Sequence, residues 1–435
     1  MNIVYLLPVY WPAIGGCELH THELVKRLSE RHRIKVITQI TRQEDKPGNL
    51  WFGTLLQPLP CREAYQDNKA HVIPLRVLNA ERVLLYPFVR GFRRMEPVSM
   101  EAVRQILQRK IMRHLKGADI IHCIHNGASF YAHAALAAAR KHDIPFVLTP
   151  LLQTHQALKE SERHRPASKG RVHTAPPAGN LRALLSPMAY HDRFWLHACL
   201  RADALIAMTD TEKRLLAQWG VPRERIHTVG VGPILADHFD GKAFRKRHGI
   251  GSEPIVLFLG RKHELKGIEE VLQSAPKVWA HMPDTLFFFV GPKEGNARKI
   301  FAEHQEDRVI EIDQVSLQEK TDAIAACDIL CMPSMNEALG GVFLEAWTLR
   351  KPVIAGDTPP LRELTGDGKG GFLVNLEPAR IAEKIIVLLN DRRLREQMGL
   401  WGKERVVSRY SWPSITEKME QVYLNLLVSA QYLRE

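Results

Sequence analysis

IVLFLGRKHELKGIEEVLQS, residues 255–274, decides the fold. Ile255–Leu259 is continuously apolar, as expected for a parallel strand covered on both faces. The run ends at Leu259–Gly260, and a helical pattern begins near Gly267. Arg261 and Lys266 therefore occupy a short loop at the carboxyl end of a buried strand. In open α/β sheets ligands bind there. Two fixed cations beside a helix N-terminus suit a diphosphate. Taken singly, an Arg or Lys in a loop is ordinary surface charge; it is the position that favours a functional reading.

The same strand–loop–helix unit recurs along the chain. In the first half the β-rich runs are Ile3–Leu7, Ile34–Thr38, Asp119–Cys123, Ile144–Thr149, Ala204–Met208 and Arg225–Val229. In the second they are Ile255–Leu259, Leu286–Val290, Val309–Ile312, Ile329–Met332, Pro352–Ala355 and Phe372–Val374. Alternation with helical patterns argues for doubly wound α/β sheets. So many strands exceed one comfortable sheet, and 435 residues exceed one core. Two Rossmann-like domains follow. The boundary falls where VGVGPILADHFDGKAF breaks the pattern, giving residues 1–235 and 236–413. In the tail, 414–435, Ile415, Met419, Val422, Tyr423 and Leu426 stand at helical spacing, so it must pack on something. Residues 50–116 offer little clear strand and much Arg and Lys. Residues 151–190 hold a long polar connection, either solvated or substrate-binding.

Composition narrows the class. The chain is 45% apolar and 25% charged, as a globular enzyme is. No run reaches the roughly 18 apolar residues of a membrane span, and MNIVYLLPVY reads as a first strand rather than a signal peptide. Cysteines 17, 61, 123, 199, 327 and 331 are scattered, which suits reduced thiols in a cytoplasmic protein and neither a disulfide framework nor zinc. The net charge of +12 points to an anionic partner: nucleic acid, a membrane surface or a phosphorylated substrate. HTHE at 20–23 lacks zinc-protease spacing, and no phosphate-loop motif for ATP is present.

A second stretch, PSMNEALGGVFLEAWTLRKPVIAG, carries two carboxylates eight residues apart. DILCMPS is a strand, MNEALGG its carboxyl-end loop, and VFLEAWTLRK a helix stopped by Pro352. Glu337 then lies in the loop and Glu345 in the first turns of the helix. Gly340 and Gly341, between them, let bare backbone approach an anion. The carboxylates can accept hydrogen bonds from sugar or ribose hydroxyls, so the pattern fits a ligand joining polyol to diphosphate. The bland alternative makes Glu345 a solvated helix residue favoured by the helix dipole; its apolar flanks argue against that.

Together, GRKHELKG, the E-x7-E pair and KPVIAGDTPPLRELTGDGKGGFLV resemble retaining glycosyltransferases of family 4, with the two-domain GT-B architecture. In the N-terminal half PVYWPAIGGCELHTHELVKRLSERHRIKVIT, ADIIHCIH, IPFVLTP and RADALIAMTDTEKRLLAQWGVPRERIHTVGVG resemble successive family segments. The resemblance implies two Rossmann-like domains facing across a cleft, with the tail helix crossing back onto the first. It implies that Arg261 and Lys266 hold the donor diphosphate beside Gly260, and that Glu345 binds the nucleotide ribose. Glu337 would contact the donor sugar, with Leu339, Gly340, Gly341 and Val342 near sugar and phosphate. Gly16 would line the cleft, and His125, at a strand end, would face the reacting centre. The sequence departs from the family pattern at Pro359–Pro360, at Arg350–Lys351 and at VGVGP. These positions bear on donor base and sugar rather than on the reaction.

The expectation is a metal-independent, cofactor-free hexosyltransferase whose substrate is a nucleotide-diphosphate sugar and whose acceptor is a glycan or lipid-linked hydroxyl. It is placed in the cytoplasm, with an anionic membrane surface, the inner face of the plasma membrane, as a partner. Two rivals remain. A GT-B epimerase or phosphorylase would be separated by incubation with donor alone. A nucleic-acid-binding protein would need aromatics among the basic clusters, and RGFRRMEP offers only Phe92.

Overall fold

The computed structural model describes residues 1–13, 15–45, 55, 60, 62–90, 92–124, 129–152 and 193–432. They form two α/β units. The first holds an eight-stranded sheet built from β1 (Asn2–Leu6), β2 (Arg33–Thr38), β3 (Tyr65–Asp67), β4 (Ala70–Pro74), β5 (Ile120–Ile124), β6 (Phe146–Thr149), β7 (Ala204–Ala207) and β8 (Ile226–Thr228). The second holds a six-stranded sheet built from β9 (Ile255–Leu259), β10 (Leu286–Val290), β11 (Val309–Ile312), β12 (Ile329–Met332), β13 (Val353–Gly356) and β14 (Gly371–Val374). The spatial order of the second is β11-β10-β9-β12-β13-β14, all parallel. This is the doubly wound order, and its direction reverses between β9 and β12. In the first sheet, β4-β2-β1-β5-β6-β7-β8 repeats the plan, with β3 added antiparallel at the edge.

Every strand expected from the sequence is present, displaced by no more than two residues. The β3–β4 hairpin is not among those expectations, and it corrects the reading of residues 50–116 as poor in strand. β3 has three residues and pairs only at the sheet edge. Its turn places Asn68 at φ 54°, a left-handed position that Asn tolerates. The same region also holds the helices Asn79–Arg90 and Phe92–Met112.

The last helix, Trp412–Tyr432, links the two units. Its buried residues Ile415, Met419, Val422 and Tyr423 belong to the expected stripe. The Tyr423 hydroxyl lies 2.7 Å from that of Tyr5 on β1 and 2.6 Å from His122 Nδ1 on β5. Glu420 accepts from Arg31 and His32 at 2.8 and 2.6 Å. Trp412 donates its indole N–H to the Pro233 carbonyl at 2.8 Å. This contact explains VGVG: a Cβ on Gly232 would stand 2.5 Å from the Trp412 ring. Glycine is what lets the tail cross the connection between the units.

Candidate active site

The loops that follow β9 and β12 are neighbours because those strands are adjacent at the reversal of strand order. After β9 the chain passes through Gly260 (φ 144°) and Arg261 to a single 3-10 turn, Glu264–Lys266. His263 Nδ1 caps this turn by accepting from the Leu265 N–H. Gly267 then opens the helix Ile268–Trp279. The β12 loop is tied to this one. The Met335 N–H donates to the Leu265 carbonyl at 3.3 Å, and Lys266 Nζ donates to the Asn336 carbonyl at 3.3 Å. Lys266 also forms an ion pair with Glu337, both side chains largely covered. Arg261 stands further out, more than half exposed, with Glu294 at 2.7 Å.

The β12 loop ends at Gly340 (φ 89°), which opens the helix Gly341–Thr348. A Cβ on Gly340 would stand 2.6 Å from the Phe343 ring, so backbone freedom and space both call for glycine there. Leu339 is buried and Val342 half-buried. A Cβ on Gly341 would meet only Val231 of the connection between the units, at 3.8 Å. The first N–H groups of a helix lack intrahelical partners and carry its positive dipole end. Bare backbone therefore marks this terminus.

Glu345 is 7% exposed, which excludes the solvated alternative. Its carboxylate accepts from Lys320 Nζ at 2.8 Å, and the same ammonium donates to the Ile234 carbonyl at 2.6 Å. Lys320 lies on the helix Leu317–Ala326, 25 residues away, and the sequence pattern did not point to it. No short-range pattern joins the two. The structure thus brings Arg261, Lys266, Glu337 and the Gly340–Val342 turn to one switch point, with Glu345 on the helix that leaves it.

In the first unit, Gly16 opens the helix Gly16–Leu28, and a Cβ there would meet nothing within 4 Å. Its neighbour Gly15 is the constrained one, since a Cβ would stand 2.2 Å from the Glu18 carboxylate. His125 lies outside the described residues. His122 is buried between Tyr423 and Thr149, the latter 2.7 Å from its Nε2, and burial pushes its imidazole down to about 3. Burial also lowers His20 to about 4; its ring stacks on Trp412 with centroids 5.7 Å apart. The carboxyl end of β1 is aromatic: Trp11 stacks on His22 at 4.6 Å, and Asp67 accepts from Tyr10 and bonds His22 at 2.7 and 2.8 Å.

One further contact joins the units and was not foreseen. Glu363, on the helix Pro359–Thr365, accepts from the backbone N–H groups of Asp210 and Thr211 at 2.7 and 2.8 Å and from the Thr211 hydroxyl at 2.8 Å. It lies at the first turn of the helix Asp210–Gln218.

Residues 15–232 match the glycosyl transferase 4-like domain, and residues 240–405 match the glycosyl transferases group 1 family. The chain belongs to glycosyltransferase family 4. Among relatives, the α-D-kanosaminyltransferase of Streptomyces kanamyceticus is 30% identical over 241 residues, 52% of this chain and 61% of that protein. The chain spans about half to three-fifths of the length of such curated relatives. Among solved structures, sucrose-phosphate synthase of Thermosynechococcus elongatus superposes with a TM-score of 0.71 at 17% identity, covering 98% of this chain and 99% of that one. HepE of Anabaena in complex with UDP-glucose gives 0.68 at 17% identity, covering 98% and 99%. At such identities the likeness is one of fold, and the fold of this family 4 member is GT-B.

Proposed function

We propose that this family 4 chain transfers a hexosyl group from a nucleotide-diphosphate sugar to an acceptor hydroxyl, with retention of anomeric configuration. The observation that carries the reading is the switch point itself: Lys266 is paired with Glu337 on the loop that ends at a bare helix N-terminus, and Arg261 stands further out on the β9 loop. The diphosphate takes the place Lys266 now shares with Glu337. Arg261, Lys266 and the first-turn N–H groups at Gly341 and Val342 neutralise the charge that grows as it leaves. Glu337, released from Lys266, accepts from hydroxyls of the donor sugar. Glu345, held by Lys320, accepts from the ribose. Gly260 and Leu339 complete the wall on the donor side. UDP-glucose in HepE supports a donor of this class.

In the reaction the bond from the anomeric carbon to the diphosphate oxygen breaks, and its electron pair leaves with the phosphate. The acceptor oxygen bonds the anomeric carbon on the same face, and its proton passes to the leaving phosphate. Neither carboxylate is needed as nucleophile or base, and Arg261 and Lys266 do the work a metal ion would do on the diphosphate. Gly16 lines the cleft from the first unit, the side on which the acceptor enters. Closure there excludes water, the competing nucleophile. The acceptor class is a glycan or lipid-linked hydroxyl, and the basic balance of the chain favours one presented at an anionic membrane.

The test is a panel of UDP-, GDP- and ADP-sugars, each with and without a mixture of glycan and lipid acceptors, followed by NMR of the fresh product. Donor consumption that depends on acceptor, with the anomeric coupling preserved, is the expected result. Conversion of donor alone to a second sugar would establish an epimerase instead. An inverted product would refute retention.

A further inference from the structure

The helix Asn79–Arg90 has its apolar side facing the wrong way. Leu85 packs into the core of the first unit with Leu75, Val77 and Leu107. On the other side Ala80, Val83, Leu84 and Pro87 stand at i, i+3, i+4 and i+7. Ala80 and Pro87 are exposed, Val83 by 73% and Leu84 by 65%. Leu78 and Tyr86, each 47% exposed, flank this stripe. A surface helix ordinarily turns charged residues to water. An exposed apolar stripe one helix long marks an interaction surface.

The charge around the stripe says what kind. Residues 76–116 carry ten Lys and Arg against three Glu, so these 41 residues hold seven of the twelve net positive charges of the chain. Lys110 and Arg104 are paired with Glu81 and Glu101, whereas Arg82 bonds Asn79 and Arg76, Arg109, Arg113 and Lys116 are exposed. A second copy of the chain would bring an equally cationic face against this one, and like charges disfavour that contact. A nucleic acid would satisfy the cations and leave the aliphatic stripe in water. An anionic bilayer satisfies both, with aliphatic side chains in the acyl boundary and cations at the phosphate plane. No described helix is long and apolar enough to cross a membrane, so the contact is made by lying on it.

We propose that the helix Asn79–Arg90 is an interfacial membrane anchor, with Ala80, Val83, Leu84 and Pro87 entering an anionic leaflet and Arg76, Arg82, Arg109 and Arg113 holding its headgroups. This gives the membrane-presented acceptor a specific face of the first unit. It rests on that part of the functional reading but not on sugar transfer, because binding is measured without turnover.

The experiment is sedimentation of the full chain with phosphatidylglycerol–phosphatidylcholine vesicles and with pure phosphatidylcholine vesicles, at low and high salt. The wild type should bind the anionic vesicles at low salt and release as salt rises. The double variant Val83→Glu/Leu84→Glu should bind at least tenfold more weakly. The charge-matched control Val407→Glu/Val428→Glu, at exposed positions of the second unit and the tail, should bind as wild type does. Val83→Ser/Leu84→Ser, which adds no charge, should fall between them. Circular dichroism should be unchanged in all, since every substituted residue is exposed. Three results would each overturn the proposal: no wild-type binding to anionic vesicles at low salt, equal losses for Val83→Glu/Leu84→Glu and its control, or a wild-type dimer on size exclusion that Val83→Glu/Leu84→Glu makes monomeric.

Discussion

The two sheets share a plan, yet the loops at their switch points are chemically opposite. In the second unit the β9 and β12 loops bring together Arg261, Lys266, Glu337 and a helix N-terminus, with Glu294 beside Arg261. In the first, the described groups near the corresponding β1 and β5 ends are mostly aromatic or neutral, Tyr10, Trp11 and the buried imidazoles of His20 and His122, and the one carboxylate among them, Asp67, is taken up by Tyr10 and His22. Equivalent positions in a fold do not carry equivalent chemistry. A diphosphate needs fixed cations, which only one of these sites offers among the described residues. What the first unit offers instead at its β1 end is the partly exposed Trp11, stacked on His22, a flat face of the kind that packs against a sugar ring.

The largest expected effect exploits the neutral imidazoles. His20 and His122 are held neutral when folded, near 4 and 3, against an ordinary value of 6.5. Below 6.5 the unfolded chain takes up protons that the native state refuses. Their contribution to stability is therefore present above 6.5 and lost as pH falls toward 4 and then 3. Each proton so refused costs the native state about 1.4 kcal/mol per pH unit, several kcal/mol in all. Glu212, which burial raises to about 7, works in the opposite sense: its contribution declines as pH rises from 4.5 to about 7. His133, which burial lowers to about 4, and Glu101, held low by Arg104, act in the same sense as His20 and His122, so against Glu212 the net prediction is acid unfolding that begins in the first unit. His20→Phe keeps the stack on Trp412 and should flatten the acid limb of a stability-against-pH curve. An unaltered limb would remove His20 from this role.

Next come the cations. Arg261→Ala and Lys266→Ala should each lower kcat by about 10²-fold, the scale for losing a charge-stabilising group, with little loss of stability. Near-normal turnover in both variants would erase the contrast between the two units. Smaller effects separate the carboxylates. Glu345→Ala should weaken nucleoside diphosphate binding by roughly tenfold, since it loses one charged hydrogen bond and leaves Lys320 without its carboxylate. Glu337→Ala frees Lys266 for the diphosphate, so it should not weaken nucleotide binding while it slows transfer. Equal losses by titration calorimetry would refute that division. The smallest effect concerns the join. Glu363→Ala leaves the first-turn N–H groups of Asp210 and Thr211 without this acceptor and should cost about 1 kcal/mol, as loss of a helix cap does. Its reading is faster proteolysis between the units; unchanged proteolysis would show that the contact does not hold them together.

The second unit was legible almost strand by strand, because its parallel strands are buried on both faces and read as unbroken apolar runs such as LFFFV and IVLFL. The β3–β4 hairpin was not, because a three-residue edge strand makes its own sequence signal weak. The candidate site divides the same way. Arg261, Lys266 and Glu337 were found because each follows a recognisable strand. Lys320 and Glu363 were missed because they act through distance in space, across 25 residues in one case and more than 150 in the other. The apolar face of Asn79–Arg90 was hidden by its cationic surroundings, which drew attention to charge instead.

Hydrogen exchange in the presence of UDP, GDP or ADP tests the contrast most directly, because it reports which switch point takes the diphosphate. At least one nucleotide should protect peptides covering 260–268 and 336–346, with little change at 7–20. Protection at 7–20 with none at 260–268, or no protection anywhere with any of the three, would contradict the assignment of the donor to the second unit.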